Sequence, residues 1–264
     1  MKLRYFARNS HLNSMGKYFL GEVIGTFILV FLGCGIVGLS LIEETINLFI
    51  IAAIWGLAVF LGIQASHKMS DSHLNPAVTL GFLTLGSVDI KKASTAILGQ
   101  FAGATLAALA LYLIFNGALS DLEATHGWVR GELSGLNTGK MFGEYYDPST
   151  VSLGEAISSE AFGTFLLMFM ILIYSQSMER FPLLSRAFIG LTVTILILFI
   201  APITQCGINP ARDLGPRFVS WLTGWDQAFS LPDSGAILTY VLGPALAGPL
   251  AVGVFKTWQL LTKN

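Results

Sequence analysis

The sequence predicts an all-α membrane protein: six transmembrane helices plus two re-entrant half-helices, related as an inverted repeat within a single domain. Three observations predict it. Of the 264 residues, 53% are hydrophobic and only 12% are charged, against about a quarter charged in a soluble domain. The charges gather between six long apolar segments. Finally, Asn-Pro-Ala occurs twice inside apolar sequence, at Asn75, Pro76, Ala77 and at Asn209, Pro210, Ala211. Each copy follows a segment with the same opening signature, Glu22, Gly25, Thr26, Phe27 and Glu160, Gly163, Thr164, Phe165. The glutamate-to-asparagine spacing is 53 residues in one case and 49 in the other, so the chain carries an internal duplication.

The chain opens with the basic residues Lys2, Arg4 and Arg8. They resemble the flank of a signal peptide, but the next apolar run is too long for a signal core and lacks an evident cleavage site. It therefore reads as a retained helix. A bilayer span needs about 20 mostly apolar residues. Segments 18–42, 46–66, 93–119, 156–178, 187–205 and 234–255 qualify, interrupted only by Glu22 in the first and Glu160 in the fourth. Two shorter apolar pieces, 74–88 and 218–225, are too short to cross. Both are assigned to helices that begin at an Asn-Pro-Ala, because Asn is a favoured N-cap and Pro fits the first helical position. Such short helices are tolerated at membrane depth when buried in protein or lining a water-filled cavity. Cys34 and Cys206 both fall in membrane segments and offer neither a disulfide framework nor metal spacing. No metal or cofactor is expected.

The basic residues sort by side. Those before the first span, Lys91 and Lys92, Arg180 and Arg186, and Lys256 and Lys263 fall on one side, while the alternate loops are acidic. The long central loop 116–150 has two basic residues against five acids. Positive-inside bias places both termini in the cytoplasm, in a plasma or bacterial inner membrane, and leaves that loop external. Each half, 16–115 and 151–258, holds three spans and one half-span. Three is odd, so the second half enters from the opposite face and the repeats are inverted. The two half-helices then meet near the middle with their N-termini facing, each bringing about half a positive charge.

Two Asn-Pro-Ala motifs, each with Glu-x-x-Gly-Thr upstream, the second within Gly-Ile-Asn-Pro-Ala-Arg-Asp-Leu-Gly-Pro at 207–216, resemble the major intrinsic protein (aquaporin) family. The match runs from about residue 15 to 258 and is similar to the glycerol facilitator, or aquaglyceroporin, branch. The resemblance implies that the amides of Asn75 and Asn209 donate into a pore centre, raising a barrier to protons and cations while neutral solutes pass. It implies that Glu22 and Glu160 hold the re-entrant loops; a proton relay is the other reading of acids inside spans. Arg212 corresponds to the cationic wall of the outer constriction. Trp55, 20 residues before Asn75, corresponds to its aromatic wall, a large apolar face opposite Arg212. Asp213 and Arg217 are four apart, can pair along one helix face, and mark the glycerol branch, as does Phe115. The resemblance also implies a homotetramer with one pore per subunit.

The chain departs from that branch at two constriction positions. Ile197 stands where glycine is usual and Cys206 where a second aromatic is usual, so the expected filter is Trp55, Ile197, Cys206 and Arg212. Asp71 and Ser72 replace Gly-Ala before His73, which is assigned to the loop support with Asp213 and Arg217. Tyr240 is nearer to water channels. The expected function is a passive channel for glycerol and other small uncharged solutes, water included and urea a further candidate. The alternatives are a predominantly water-selective channel and an ion-coupled secondary transporter. A formal net charge of −1 suggests no nucleic-acid partner, and no nucleophile–base pair or metal spacing suggests an enzyme.

Overall fold

The computed structural model describes residues 15–231 and 233–262. Lys2, Arg4, Arg8 and Lys263 lie outside the described residues. Among those described, six helices are long and apolar enough to cross a membrane. They are α1 (Met15–Ile42), α2 (Leu48–Ser66), α4 (Ile90–His126), α6 (Leu153–Ser177), α7 (Pro182–Thr204), and a π turn at Leu238–Leu242 that runs into α9 (Gly243–Leu261). Two short helices, α3 (Pro76–Leu85) and α8 (Pro210–Leu222), start at the prolines of the two motifs; α5 (Leu136–Gly139) is a single turn.

Local sequence sets the helix starts. Asn47 caps α2 by accepting from the amides of Phe49 and Ile50. Asp89 caps α4 through Lys92 N–H at 2.8 Å. Ser152 and Glu155 form a reciprocal capping box on α6. In α3 and α8 the asparagine of each motif is the N-cap, with extended backbone, and its side-chain oxygen accepts from the amide two residues on.

Two expected boundaries move furthest. α4 continues to His126, seven residues past the end expected for its span, and stops where Gly127 takes a left-handed φ of 68°. Its last turns are held because Leu119 and Glu123 are buried beneath the linker, which therefore spans 127–152 rather than 116–150. At 37 residues, α4 is ~55 Å long, well beyond the ~30 Å hydrocarbon core. α8 covers 210–222, not just the apolar piece from 218. Arg212, Asp213 and Arg217 in its first turns hid it from an apolar count.

The short helices are exchanged between halves. α3 packs on α9, and α8 packs on α4. A Cβ on Gly248 of α9 would come within 2.2 Å of the Ala77 carbonyl oxygen, so α3 approaches α9 backbone to backbone. On the other side, a Cβ on Gly215 of α8 would meet the Ala104 methyl at 2.6 Å. These close seats fix where the two Asn-Pro-Ala motifs meet.

Candidate functional site: an axial lumen

Two loops, 67–75 and 205–209, lead into α3 and α8. Their backbones are matched. Ser72 and Leu74 have φ of 55° and 52°; Cys206 and Ile208, at the same offsets from their asparagines, have 68° and 41°. Left-handed φ is uncommon outside glycine and is an outlier for a β-branched residue such as Ile208. Conformations of this kind persist only where the surroundings over-determine them, and here two buried carboxylates do so.

Glu22 is fully buried. It accepts from His73 N–H (3.0 Å), Leu74 N–H (2.9 Å) and the Gln100 side-chain amide (2.8 Å). Glu160, also fully buried, accepts from Thr204 Oγ1 (2.6 Å), Gly207 N–H (2.9 Å) and Ile208 N–H (2.6 Å). Both carboxylates thus tie down the residue before the asparagine and the one before that. Gln100 also donates to Thr79 Oγ1, which contacts His73 Nδ1 at 3.2 Å. The His73 ring stacks on Phe82, centroids 4.7 Å apart. Tyr240, presented by the π turn, donates from its hydroxyl to the Thr204 carbonyl.

The asparagines link the halves. Asn75 Oδ1 caps α3 through Ala77 N–H, while its Nδ2 donates to the Ile208 carbonyl at 2.9 Å. Asn209 Oδ1 caps α8 through Ala211 and Arg212 N–H, and its Nδ2 donates to the Leu74 carbonyl at 2.8 Å. Each amide nitrogen has two protons, so one crosses to the other repeat and one is left for the lumen. Pro76, Pro210, Ala77 and Ala211 are buried at the tips where the two short helices meet.

One continuous cavity is lined by Asn75, Asn209, His73, Trp55, Ile197, Cys206 and Arg212, with Ser72, Leu74, Gly207 and Ile208 from the loops. The remaining wall is aliphatic, including Val59, Ile63, Leu167, Ile171 and Val193. Polar groups therefore come from the loops and the wall is otherwise apolar.

At the α8 end the geometry differs from the expected slot. Arg212 does not stand across from Trp55; its guanidinium lies over the indole, 4.4 Å from the ring centroid. A cation on an aromatic face is favoured once both are desolvated. Arg212 Nη2 pairs with Glu144 of the linker, and Nη1, though buried, makes no hydrogen bond among the described residues. Asp213 and Arg217 are both fully buried and paired twice, at 2.9 and 2.8 Å. They do more than stabilise α8. Asp213 accepts from the Glu144 N–H at 2.8 Å, and Arg217 donates to the carbonyls of Glu144 and Ala228. Asp71 is also engaged, accepting from the Tyr18 hydroxyl at 2.9 Å, which ties the first loop to α1. Phe115 is buried in the main core.

Sequence reasoning missed Glu144, Gln100, Thr204 and Gln205, whose side-chain oxygen accepts from Tyr145 N–H at 2.7 Å. Glu144 lies in a linker without periodicity and meets partners 68 or more residues away. Its one local signal is an acid among aromatics, following Gly143, in the run 142–146.

A lumen lined by four of the spanning helices, α1, α2, α6 and α7, and by the starts of two facing short ones defines the molecule as a channel-type, multi-pass membrane protein. The comparisons place it more narrowly. The family model for the major intrinsic protein matches residues 9–255. The chain belongs to that family, whose members are channels and not enzymes. It is 34% identical over 242 residues to the glycerol uptake facilitator protein of Haemophilus influenzae, covering 90% of each chain. To the protein of the same name in Escherichia coli it is 32% identical over 252 residues, covering 93% of this chain and 88% of that one. Its structure is similar to that of the aquaglyceroporin from Plasmodium falciparum, with a TM-score of 0.80 at 26% identity, covering 92% of this chain and 96% of the other.

Proposed function

We propose that the chain is a passive channel for glycerol and other small uncharged solutes, with accompanying water flux and exclusion of protons and ions. The observation that carries this reading is the cavity in which Asn75 and Asn209 share one space with Trp55, Ile197, Cys206 and Arg212. The spare amide protons of the two asparagines and the Arg212 guanidinium are donors for solute hydroxyls, while Trp55 and the aliphatic wall receive the carbon chain. Amide donors at the meeting point of two helix N-termini oppose a cation and prevent a continuous proton wire. The names of the Haemophilus and Escherichia relatives support glycerol as the solute. Glu22 and Glu160 take the role of loop anchors, because most of their donors are backbone N–H groups, which do not pass protons along a relay. Asp213, Arg217 and His73 support the loops. We assign the chain to a homotetramer by the same family likeness, with both termini cytoplasmic.

A predominantly water-selective channel has one observation in its favour: Ile197 and Cys206 occupy the lumen where the glycerol branch carries glycine and an aromatic. Stopped-flow light scattering on proteoliposomes decides between them by reading water, glycerol and urea permeability in one preparation. Glycerol permeation is expected well above that of empty vesicles. Fast water flux with glycerol flux at the empty-vesicle level would overturn the proposal. In the same assay Cys206→Phe is expected to reduce water flux and Ile197→Gly to raise glycerol flux, each by about two- to fivefold, the scale of ~0.5–1 kcal/mol on a barrier.

A further inference from the structure

We propose that the lumen carries a second specificity-determining constriction, the repeat counterpart of the one at Arg212, in which Ile189, Ile63 and Val78 strip water from the solute and so disfavour urea against glycerol. This inference deepens the proposed function and rests on the cavity being the solute path.

The two halves correspond position by position when counted from their motif asparagines. Trp55 is 20 residues before Asn75, and Ile189 is 20 before Asn209. Ile197 and Ile63 each lie 12 before their asparagine, and Arg212 and Val78 each lie three after. Cys206 and Ser72 both stand three before, and they share a left-handed backbone, with φ of 68° and 55°. Both members of all four pairs line the cavity. The correspondence continues along the wall, where Val59 and Val193 are each 16 residues before their asparagine. Among the described residues, Ile171 is the lining residue whose counterpart does not line. Measured from Glu22 and Glu160 that counterpart is Gly33, and the Trp55 ring lies 2.2 Å from where its Cβ would stand. The indole thus fills the place of the missing side chain. An inverted repeat that pairs the lining in this way places the counterparts of the first constriction together, on the far side of the two asparagines.

The two rings differ in what they offer a solute. At the α8 end Arg212 supplies a guanidinium and Trp55 an aromatic face. At the α3 end valine and isoleucine take those places, and Ile63, Ile189 and Val78 are each at most 3% exposed. Polar lining there comes from Ser72 and His73 of the loop. Both already bond to the protein: Ser72 Oγ accepts from Ser66 Oγ at 2.7 Å, and His73 Nδ1 contacts Thr79 Oγ1 at 3.2 Å. A solute crossing this ring sheds water on its aliphatic side with no charge to replace it. A polar group enclosed without a hydrogen bond is costly, and apolar constrictions act by excluding water. Glycerol can turn its carbon chain to the isoleucines and the valine and its hydroxyls to the loop. Urea carries N–H or C=O on every edge, so one polar edge always meets the apolar side chains.

Water, glycerol and urea permeability of the full-length protein in proteoliposomes tests this. Val78→Thr keeps the side-chain volume and adds a hydroxyl, and it is expected to raise the urea-to-glycerol permeability ratio about threefold. An unchanged ratio would overturn the inference, because the variant alters polarity and not size. Two constrictions in series add their resistances, so relieving one leaves the other in control. Ile197→Gly and Ile189→Ala are each expected to raise glycerol flux about twofold, and together about tenfold. That exceeds the product of the single effects and is the outcome for two comparable barriers, each crossed about ten times faster. No effect of Ile189→Ala in either background, or single effects that merely multiply, would overturn the inference. If the wild type passes water but not glycerol, the proposed function fails by itself, and the series test is read on water with the same outcomes. Should Ile189→Ala not fold, Val78→Thr decides alone.

Discussion

Glu160, fully buried, receives three donors, two of them backbone N–H groups of the filter loop. Removing a buried acceptor costs about 1–3 kcal/mol for each donor left unpaired. Glu160→Ala is therefore expected to lower stability by at least ~3 kcal/mol and to abolish solute flux, since Cys206 and Ile208 lose what keeps them left-handed. Thermal unfolding in detergent, alongside permeability, checks it. A stable variant with normal flux would mean that the loop holds itself. The two glutamates and the two asparagines were legible in the sequence because each is one half of a repeated pattern. Glu144 was not, because nothing in the run 142–146 encodes which residues, from 205 to 217, it will meet.

The short helices owe their place to glycines in their neighbours or in themselves. Gly248 allows α3 to lie backbone-close on α9, and Gly215 does the same for α8 on α4. Gly248→Leu is expected to displace α3, with loss of both water and glycerol permeability while the six spans still insert. A trypsin-resistant, correctly inserted protein with unaltered permeability would contradict that seating. The two motif asparagines marked helix starts in the sequence; Asn47, Asp89 and Ser152 are local caps of the same kind, but spans counted from apolar content alone began three residues late for α4 and α6. The far end of α4 was not, because its last turns depend on the linker folding over Leu119 and Glu123. Nor was the length of α8, where buried charges replace the apolar residues by which a membrane helix is usually recognised. Those charges are satisfied only by tertiary contacts, which leave no periodic trace.

At the scale of the whole molecule, the two halves are interlocked and not merely adjacent. Each motif asparagine donates to a carbonyl of the opposite loop, and each short helix rests on the last long helix of the other half. The halves 1–139 and 140–264, made separately, are expected to show no permeability singly and to recover it when co-expressed. Flux from either half alone would break the interlock argument. The exchange also bears on biogenesis. α3 emerges from the ribosome long before α9, the helix on which it lies, so its seat does not exist until almost the whole polypeptide is made. A nascent chain therefore cannot seat its first motif, and the junction between the two asparagines is among the last features of the molecule to be assembled.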